Sequence, residues 1–593
     1  MQNTLQDLPR WDLSDLFNSH DDPRIKETLK NCAEMANIFD QTYRNKINND
    51  QIDSALIAKA LDDFESITCA ATKTAVYAEL AFSSNTADPA NGILLRNVQV
   101  QNEAISRRIM FFELELMELS DQKLSELMND ERLKNRLHYL SVLKNKKAHR
   151  LTEAEEKIIS LKSLTGNNAF ERLFEQEFAN KAFKIPGEEK DLTESEILNL
   201  LYHPDRATRY KAAQGITQGL AQDIRRLSFI YNTLIQDKNA EDELRKFEYP
   251  EASRHLSNEI PKTSVEALDQ AVSQSFSIVE DFYNYKKQLL GLEELFDYDR
   301  YAPLAEESMI FSYEEAKEIV LKAYQEFNPQ FAEIAQMFFD NNWIDAGVRP
   351  GKRSGAFCSF VTPDLHPYVL LNYLGGARDV MTMAHELGHA IHAYLARGQN
   401  LLDFHASLPV CETASIFGEM LVFEDLKKRL KNNLQALKSL YIQKIEEIFA
   451  SVYRQMAMYR FEHDVHLAVQ KKGELEYQEI NAIWYKHQQE MFGKSVTLTP
   501  GYAYWWSYIP HFISTPFYVY AYAFGELLTL SVFAQYKQQG SAMVMNYLEA
   551  LKAGGSKTPA QIASQLGLNI NDPKCWQNGL QSIKNMVEEV KNL

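Results

Sequence analysis

Helix starts are written into this sequence at several places. A Ser or Thr followed three residues later by Glu or Gln recurs at Thr152/Glu155, Thr193/Glu196, Thr263/Glu266, Ser312/Glu315 and Thr558/Gln561. Each pairing can satisfy reciprocally two backbone N–H groups that a helix leaves without partners at its N-terminus. The last pairing also has Pro559 at the first helical position and Gly567 as a stop. Glycine (23) and proline (18) are few for 593 residues, while apolar residues reach 45%, a balance suited to long helices around a large core. The expected fold class is mostly α.

One island breaks this pattern. Residues 355–376, GAFCSFVTPDLHPYVLLNYLGG, hold two short β-branched and aromatic runs around a Pro-Asp-Leu-His-Pro turn, ending in Gly-Gly. They read as two strands, a small β-sheet leading into the next helix, with an edge able to pair with an extended peptide. With no repeat and no low-complexity linker, a soft boundary is expected in KIPGEEKDLTES near residue 190. It divides an N-terminal helical lobe, 1-190, from a catalytic domain, 191-593.

Charge and cysteines narrow the function classes. The net charge is −18 and the longest basic stretch, KNKKAHR, is short, so nucleic acid is not an expected partner. Five scattered cysteines without a CxxC pair fit a reducing compartment, and the N-terminus lacks a basic start followed by an apolar run, so the expected localisation is cytoplasmic. The aromatic stretch 502–534 is interrupted by Pro510, His511, Pro516 and Glu526, which leaves no run long enough to span a membrane.

The helix after the island reads MTMAHELGHAIHAY. His385 and His389 are four residues apart on one helical face, about one turn along the axis, so their imidazoles can converge on one ion. Glu386 projects roughly 100° around the helix, beside that ion, where its carboxylate can take a proton from a water held by the metal and pass it to a leaving amine. A catalytic zinc needs a third protein ligand and an open position. His392 lies about 10.5 Å along the axis from His385, and the first glycine after His389 is Gly398, beyond His392, so it is expected in the core or behind the ligands. The following acidic segment, CETASIFGEMLVFED, offers Glu412, Glu419 and Glu424. Glu412 and Glu419 share a helical face, and we read Glu412 as the third ligand and Glu419 as the carboxylate that fixes the tautomer of a ligand histidine. Asp379 is expected to cap the motif helix. His463 and His466 share a face in YRFEHDVHLAV and read as structural; Cys358 and Cys411 lack basic neighbours that would activate them.

Four stretches together resemble the thimet oligopeptidase and oligoendopeptidase F family of zinc metallopeptidases: HELGHAIH, ETASIFGE, SGAFCSF with YVLLNY, and IPHFISTPFYVYAYAFGE. The N-terminal WDLSDLF resembles the oligoendopeptidase F branch. The resemblance implies one zinc per chain, with its third ligand at Glu412, and a helical ellipsoid of two lobes around a deep channel that admits short peptides and excludes folded proteins. It also implies a histidine and tyrosines that bind the oxyanion and orient substrate. His511 matches the histidine; Tyr522, then Tyr518, are the candidate tyrosines, sharing a helical face with Glu526 while Tyr520 points away. Thr515 to Phe517 departs from the thimet branch, which has a Gly-rich loop there. The expected function is a zinc-dependent metalloendopeptidase acting on short peptides, with a carboxypeptidase or dipeptidyl carboxypeptidase on the same fold as the alternative.

Overall fold

The computed structural model describes residues 8–304 and 310–593. The chain forms two compact units, each assembled from three segments: Met1–Glu153, Met309–Arg429 and Gln535–Gly567 in the first, and Ala154–Ser308, Leu430–Ala534 and Leu568–Leu593 in the second. Both are predominantly helical.

Three of the expected capping boxes form as written. At Ser312, for example, the Glu315 N–H donates to Ser312 Oγ (3.2 Å) while the Ser312 N–H donates to the Glu315 carboxylate (2.7 Å); Thr193 and Thr558 repeat the arrangement. Thr152 stands immediately before the helix Glu153–Ser163. The fifth differs. The helix expected to start after Thr263 starts two residues earlier, at Lys262, with Pro261 in the capping position, and Thr263 lies within its first turn. Proline presets the extended entry and has no N–H to satisfy, so the start moved forward. Gly567 follows the helix Pro559–Gln565 with φ +77°, a left-handed conformation that glycine takes without a Cβ clash.

In the first unit, helices Pro23–Tyr43, Ser54–Ser84 and Pro89–Ile109 pack together around Phe39, Tyr43, Phe64, Phe111 and Phe112. The island at 355–376 gives two strands, Phe357–Ser359 and Tyr368–Tyr373, joined by a third that the sequence did not announce, Ile344–Gly347. Tyr368–Tyr373 is central, parallel to Ile344–Gly347 and antiparallel to Phe357–Ser359, which is therefore an edge. Ile344–Gly347 lacks alternation because Ile344, Asp345 and Ala346 are all buried; the Asp345 carboxylate is held by Arg349 and Lys352 (2.6 Å each). The WDLSDLF stretch docks on this sheet, with Trp11 against Phe357 and Tyr368 and Asp15 against His366. The sheet in turn supports the helix Ala377–Ala396, which carries HELGH.

In the second unit the 39-residue helix Arg206–Leu244 runs beside helices Tyr453–Lys472 and Tyr477–Phe492. Tyr231, Phe461, Trp484, Trp506 and Phe512 pack between them, and the indole N–H groups are spent inside: Trp484 donates to the Tyr502 carbonyl and Trp506 to Asn481. Phe183–Lys184 pairs with Asp191–Leu192, so the polar segment near 190 folds as a short hairpin. No helix among the described residues is long and apolar enough to cross a membrane.

Candidate metal centre

The helix Ala377–Ala396 enters from the sheet through Gly375 and Gly376. Gly376 occupies the capping position, which corrects the expectation for Asp379: that residue sits one turn in, and its carboxylate reaches back to the N–H groups of Gly376 (2.9 Å) and Leu374 (3.1 Å). A carboxylate there also opposes the positive end of the helix.

Four residues apart, the rings of His385 and His389 stand edge to face at 5.0 Å. The second helix, Leu408–Leu430, brings Glu412 against both: its Oε2 lies 3.3 Å from His385 Nε2 and 3.4 Å from His389 Nε2. Donors about 2.0–2.1 Å from a tetrahedral zinc are themselves about 3.3–3.4 Å apart, so these spacings suit one such ion. Among the described residues this is the one group of His, Cys, Asp and Glu whose donor atoms converge in that way.

His385 Nδ1 lies 3.2 Å from Glu419 Oε2. An N–H donated there leaves Nε2 facing the Glu412 carboxylate, where a proton or a metal ion can bridge the two. Burial disfavours a charged His385, yet Glu412 and Glu419 outweigh it and raise its pKa well above the ordinary imidazole value. Glu412 is held well below the usual carboxylate range, since the His389 and His385 charges overcome its burial. Ser415, one turn on, donates to Glu412 Oε2 (2.7 Å) and fixes that oxygen. Glu386 is 7% exposed, and burial raises its pKa against the opposing pull of the two histidines. A carboxyl poised upward from its ordinary value is suited to exchanging a proton.

The approach of the two helices depends on glycine. A Cβ on Gly388 would lie 2.5 Å from both the Ala414 carbonyl oxygen and Ser415 Cα; one on Gly418 would lie 2.5 Å from the Tyr324 hydroxyl. Tyr324 uses that hydroxyl to donate to the Ala384 carbonyl (2.5 Å), pinning the motif helix one residue before His385. Sequence reasoning missed Tyr324, Gly388, Gly418 and Ser415. A glycine inside an otherwise strong helix was a legible signal for Gly388, and the i, i+3 spacing was one for Ser415; nothing local marks Tyr324.

The remaining candidates sort as follows. His392 is 4% exposed, its Nδ1 has no hydrogen-bond partner, and burial pushes its pKa down to about 4, so it lies in the core. Glu424 is engaged by Lys427 and Lys537. Burial and the neighbouring Glu386 and Glu412 push the thiols of Cys358 and Cys411 well up, away from thiolate character. His463 has an acidic partner that its sequence neighbours did not reveal, Glu251, whereas His466 is fully buried against Phe517.

In the second unit His511, Tyr518 and Tyr522 form one cluster. His511 Nε2 lies 3.2 Å from the Tyr522 hydroxyl, Tyr518 stacks on the imidazole at 5.7 Å, and the two tyrosines meet edge to face at 5.0 Å. Burial, then the charge of Arg454, lowers the His511 pKa and favours neutral imidazole. Tyr520 points elsewhere, accepting from Asn258 (2.8 Å). Phe517, just before Tyr518, has φ +59° and donates its N–H to the buried Glu462 carboxylate (2.9 Å). That bond holds the departure from the thimet pattern in a left-handed turn.

Residues 199–582 match the family model described as Peptidase family M3, and residues 115–183 the one described as Oligopeptidase F. The chain is 27% identical over 601 residues to the oligoendopeptidase F homolog of Borreliella burgdorferi, covering 100% of this chain and 99% of that one. It is 26% identical over 486 residues to oligopeptidase PepF of Bacillus subtilis, covering 81% and 72% respectively. Among solved structures, one from Chlamydophila abortus superposes with a TM-score of 0.85 at 23% identity over 98% of both chains. Oligoendopeptidase F from Enterococcus faecium gives 0.71 at 20% identity, over 96% of this chain and 97% of that one, and both likenesses support the mostly α fold.

Proposed function

The chain belongs to peptidase family M3, and from that premise we propose that it is a zinc-dependent oligoendopeptidase, cleaving internal bonds of short peptides in the cytoplasm. The observation that carries this reading is the triangle of His385 Nε2, His389 Nε2 and Glu412 Oε2, spaced for one tetrahedral ion. A bound zinc supplies Lewis acidity, lowering the pKa of water towards about 7 and polarising a carbonyl.

The chain's own residues do the rest. His385, His389 and Glu412 hold the ion, and Glu419 keeps His385 in the tautomer whose Nε2 faces it. Glu386, buried beside the ligands, takes the proton of the attacking water and returns it to the departing amine. Tyr522, with Tyr518 and His511 beside it, donates to the oxygen on which negative charge develops. The edge strand Phe357–Ser359 holds the substrate backbone extended, since an unpaired edge presents the N–H and C=O groups that a peptide can complete.

The test compares wild-type protein with Glu386→Gln for bound zinc and for cleavage of an internally quenched fluorescent peptide, with the products read by mass spectrometry. Zinc retained and activity abolished is the expected pair, with cuts at internal bonds. Equal activity in both proteins ends the proposed role of Glu386, and obligatory removal of C-terminal residues replaces the endopeptidase reading with the exopeptidase one.

A further inference from the structure

The second unit encloses several cationic side chains, two of which, Arg300 and Arg454, have no ion-pair partner among the described residues. Lys286 is fully buried and Arg300 is 4% exposed; Arg454 is partly exposed, and its Nε is buried without a hydrogen-bond partner. Glu446 is committed to Lys286 and Asp299 to Arg206 and Arg209, while Asp297 accepts from the N–H and hydroxyl of Thr499 through Oδ2 and lends its charge to Arg300 without an ion-pair contact. Among the described residues no carboxylate makes an ion pair with either Arg300 or Arg454. Their polar partners are neutral: Arg300 donates to the Asp297 carbonyl (3.0 Å) and the Tyr502 hydroxyl (3.2 Å), and Arg454 donates to the Tyr508 hydroxyl (3.1 Å). The side chain of Tyr301 lies against Arg300 at 5.0 Å.

Desolvating a guanidinium without a counter-ion is costly, so Arg454, which no carboxylate balances, calls for an anion from outside the chain. Guanidinium geometry is matched to carboxylate, which it binds through two parallel N–H donors. The position is informative as well. Tyr508, the partner of Arg454, ends the aromatic run Pro500–Tyr508 three residues before His511, and the Arg454 charge reaches the His511 imidazole. The two arginines also pull the Tyr301 phenol below its ordinary pKa despite burial, the effect of an electropositive pocket.

We propose that Arg454, backed by Arg300, forms a carboxylate-binding subsite that receives a carboxylate of the peptide substrate beside the His511 cluster. This rests on the peptide-hydrolysing reading above and adds to it a determinant of which peptides are taken. The carboxylate has two sources, the free C-terminus or an acidic side chain.

The test uses three otherwise identical peptides: one with a free C-terminal acid, one amidated, and one amidated with a glutamate at its last residue. Wild-type holoenzyme is expected to favour at least one carboxylate-bearing peptide over the plain amide by about tenfold or more in kcat/KM, carried mainly by KM. Preference for the free acid alone assigns the terminus; a gain from the glutamate assigns the side chain. Arg454→Gln should collapse the ratio of acid to amide towards one, and Arg454→Lys should retain part of it. Equal KM for all three peptides in the wild type, or an unchanged ratio in Arg454→Gln, overturns the subsite. Calorimetric binding of the same peptides to zinc-loaded Glu386→Gln separates the two ideas: discrimination in binding with no cleavage by wild type removes the peptidase reading and leaves the subsite standing.

Discussion

Replacing Gly388 by alanine tests whether the metal centre depends on close helix packing. The added methyl meets the Ala414 carbonyl oxygen and Ser415 Cα at 2.5 Å, against an ordinary contact of 3.4 Å, so it is about 0.9 Å short of fitting (2.5 against 3.4 Å). Both obstacles are backbone atoms of a helix, which cannot swing aside as a side chain could. The helices must part by roughly that amount, carrying Glu412 away from His385 and His389, from which it is now 3.3 and 3.4 Å. Overpacking of this kind costs about 1–3 kcal/mol, offset by the roughly 1 kcal/mol gain in helix propensity from glycine to alanine. The net loss of stability is therefore modest, but the metal should suffer more. A ligand displaced by most of an ångström weakens binding at least as much as losing an outer hydrogen bond, about 10–100-fold. The assay is zinc content after dialysis against a graded chelator, with thermal melting in parallel. Gly388→Ala holding zinc as tightly as wild type would falsify the packing argument.

Three further perturbations are informative. Glu419→Gln keeps the shape beside His385 but removes the charge that fixes its tautomer, so zinc affinity should fall about tenfold by chelator competition; unchanged affinity would mean that Glu419 only packs. Tyr522→Phe should retain zinc and lower kcat by roughly a hundredfold or more with little change in KM; if Tyr518→Phe has the larger effect, the donor is Tyr518. Burial pushes Glu462 up to about 8 although the Phe517 N–H opposes this, so the folded state keeps a proton that the unfolded chain releases near 4.5. Stability is then lost as pH rises from about 4.5 to about 8, by on the order of a few kcal/mol. Glu462→Gln should therefore melt progressively higher than wild type across that window, and a difference that does not vary with pH contradicts the assignment.

Much of the centre was legible because helix geometry is local. Once MTMAHELGHAIHAY is helical, the 3.6-residue period places His385 over His389, turns Glu386 aside and carries His392 out of reach. The same period puts Glu412 and Glu419 on one face of their helix. Capping chemistry is equally short-ranged, so the starts at Thr193, Ser312 and Thr558 could be read directly, while Pro261 displaced the one expected at Thr263. Asp379 was placed in the cap when it occupies the first turn because Gly-Gly left the point of entry undetermined.

By itself, then, the sequence determined which segments are helical and which side chains share a face, since residues within four positions of one another have their relation set by the backbone. Tertiary structure decided what those faces meet. It seated Glu412 between the two imidazoles, made glycine necessary at Gly388 and Gly418, drew Tyr324 onto Ala384 and paired Glu251 with His463. It also gave Arg300 and Arg454 neutral hydrogen-bond partners, the Asp297 carbonyl and the Tyr508 hydroxyl, in place of an ion pair. Such contacts join residues tens to hundreds of positions apart, and their distances follow from how whole helices pack, which no local spacing encodes.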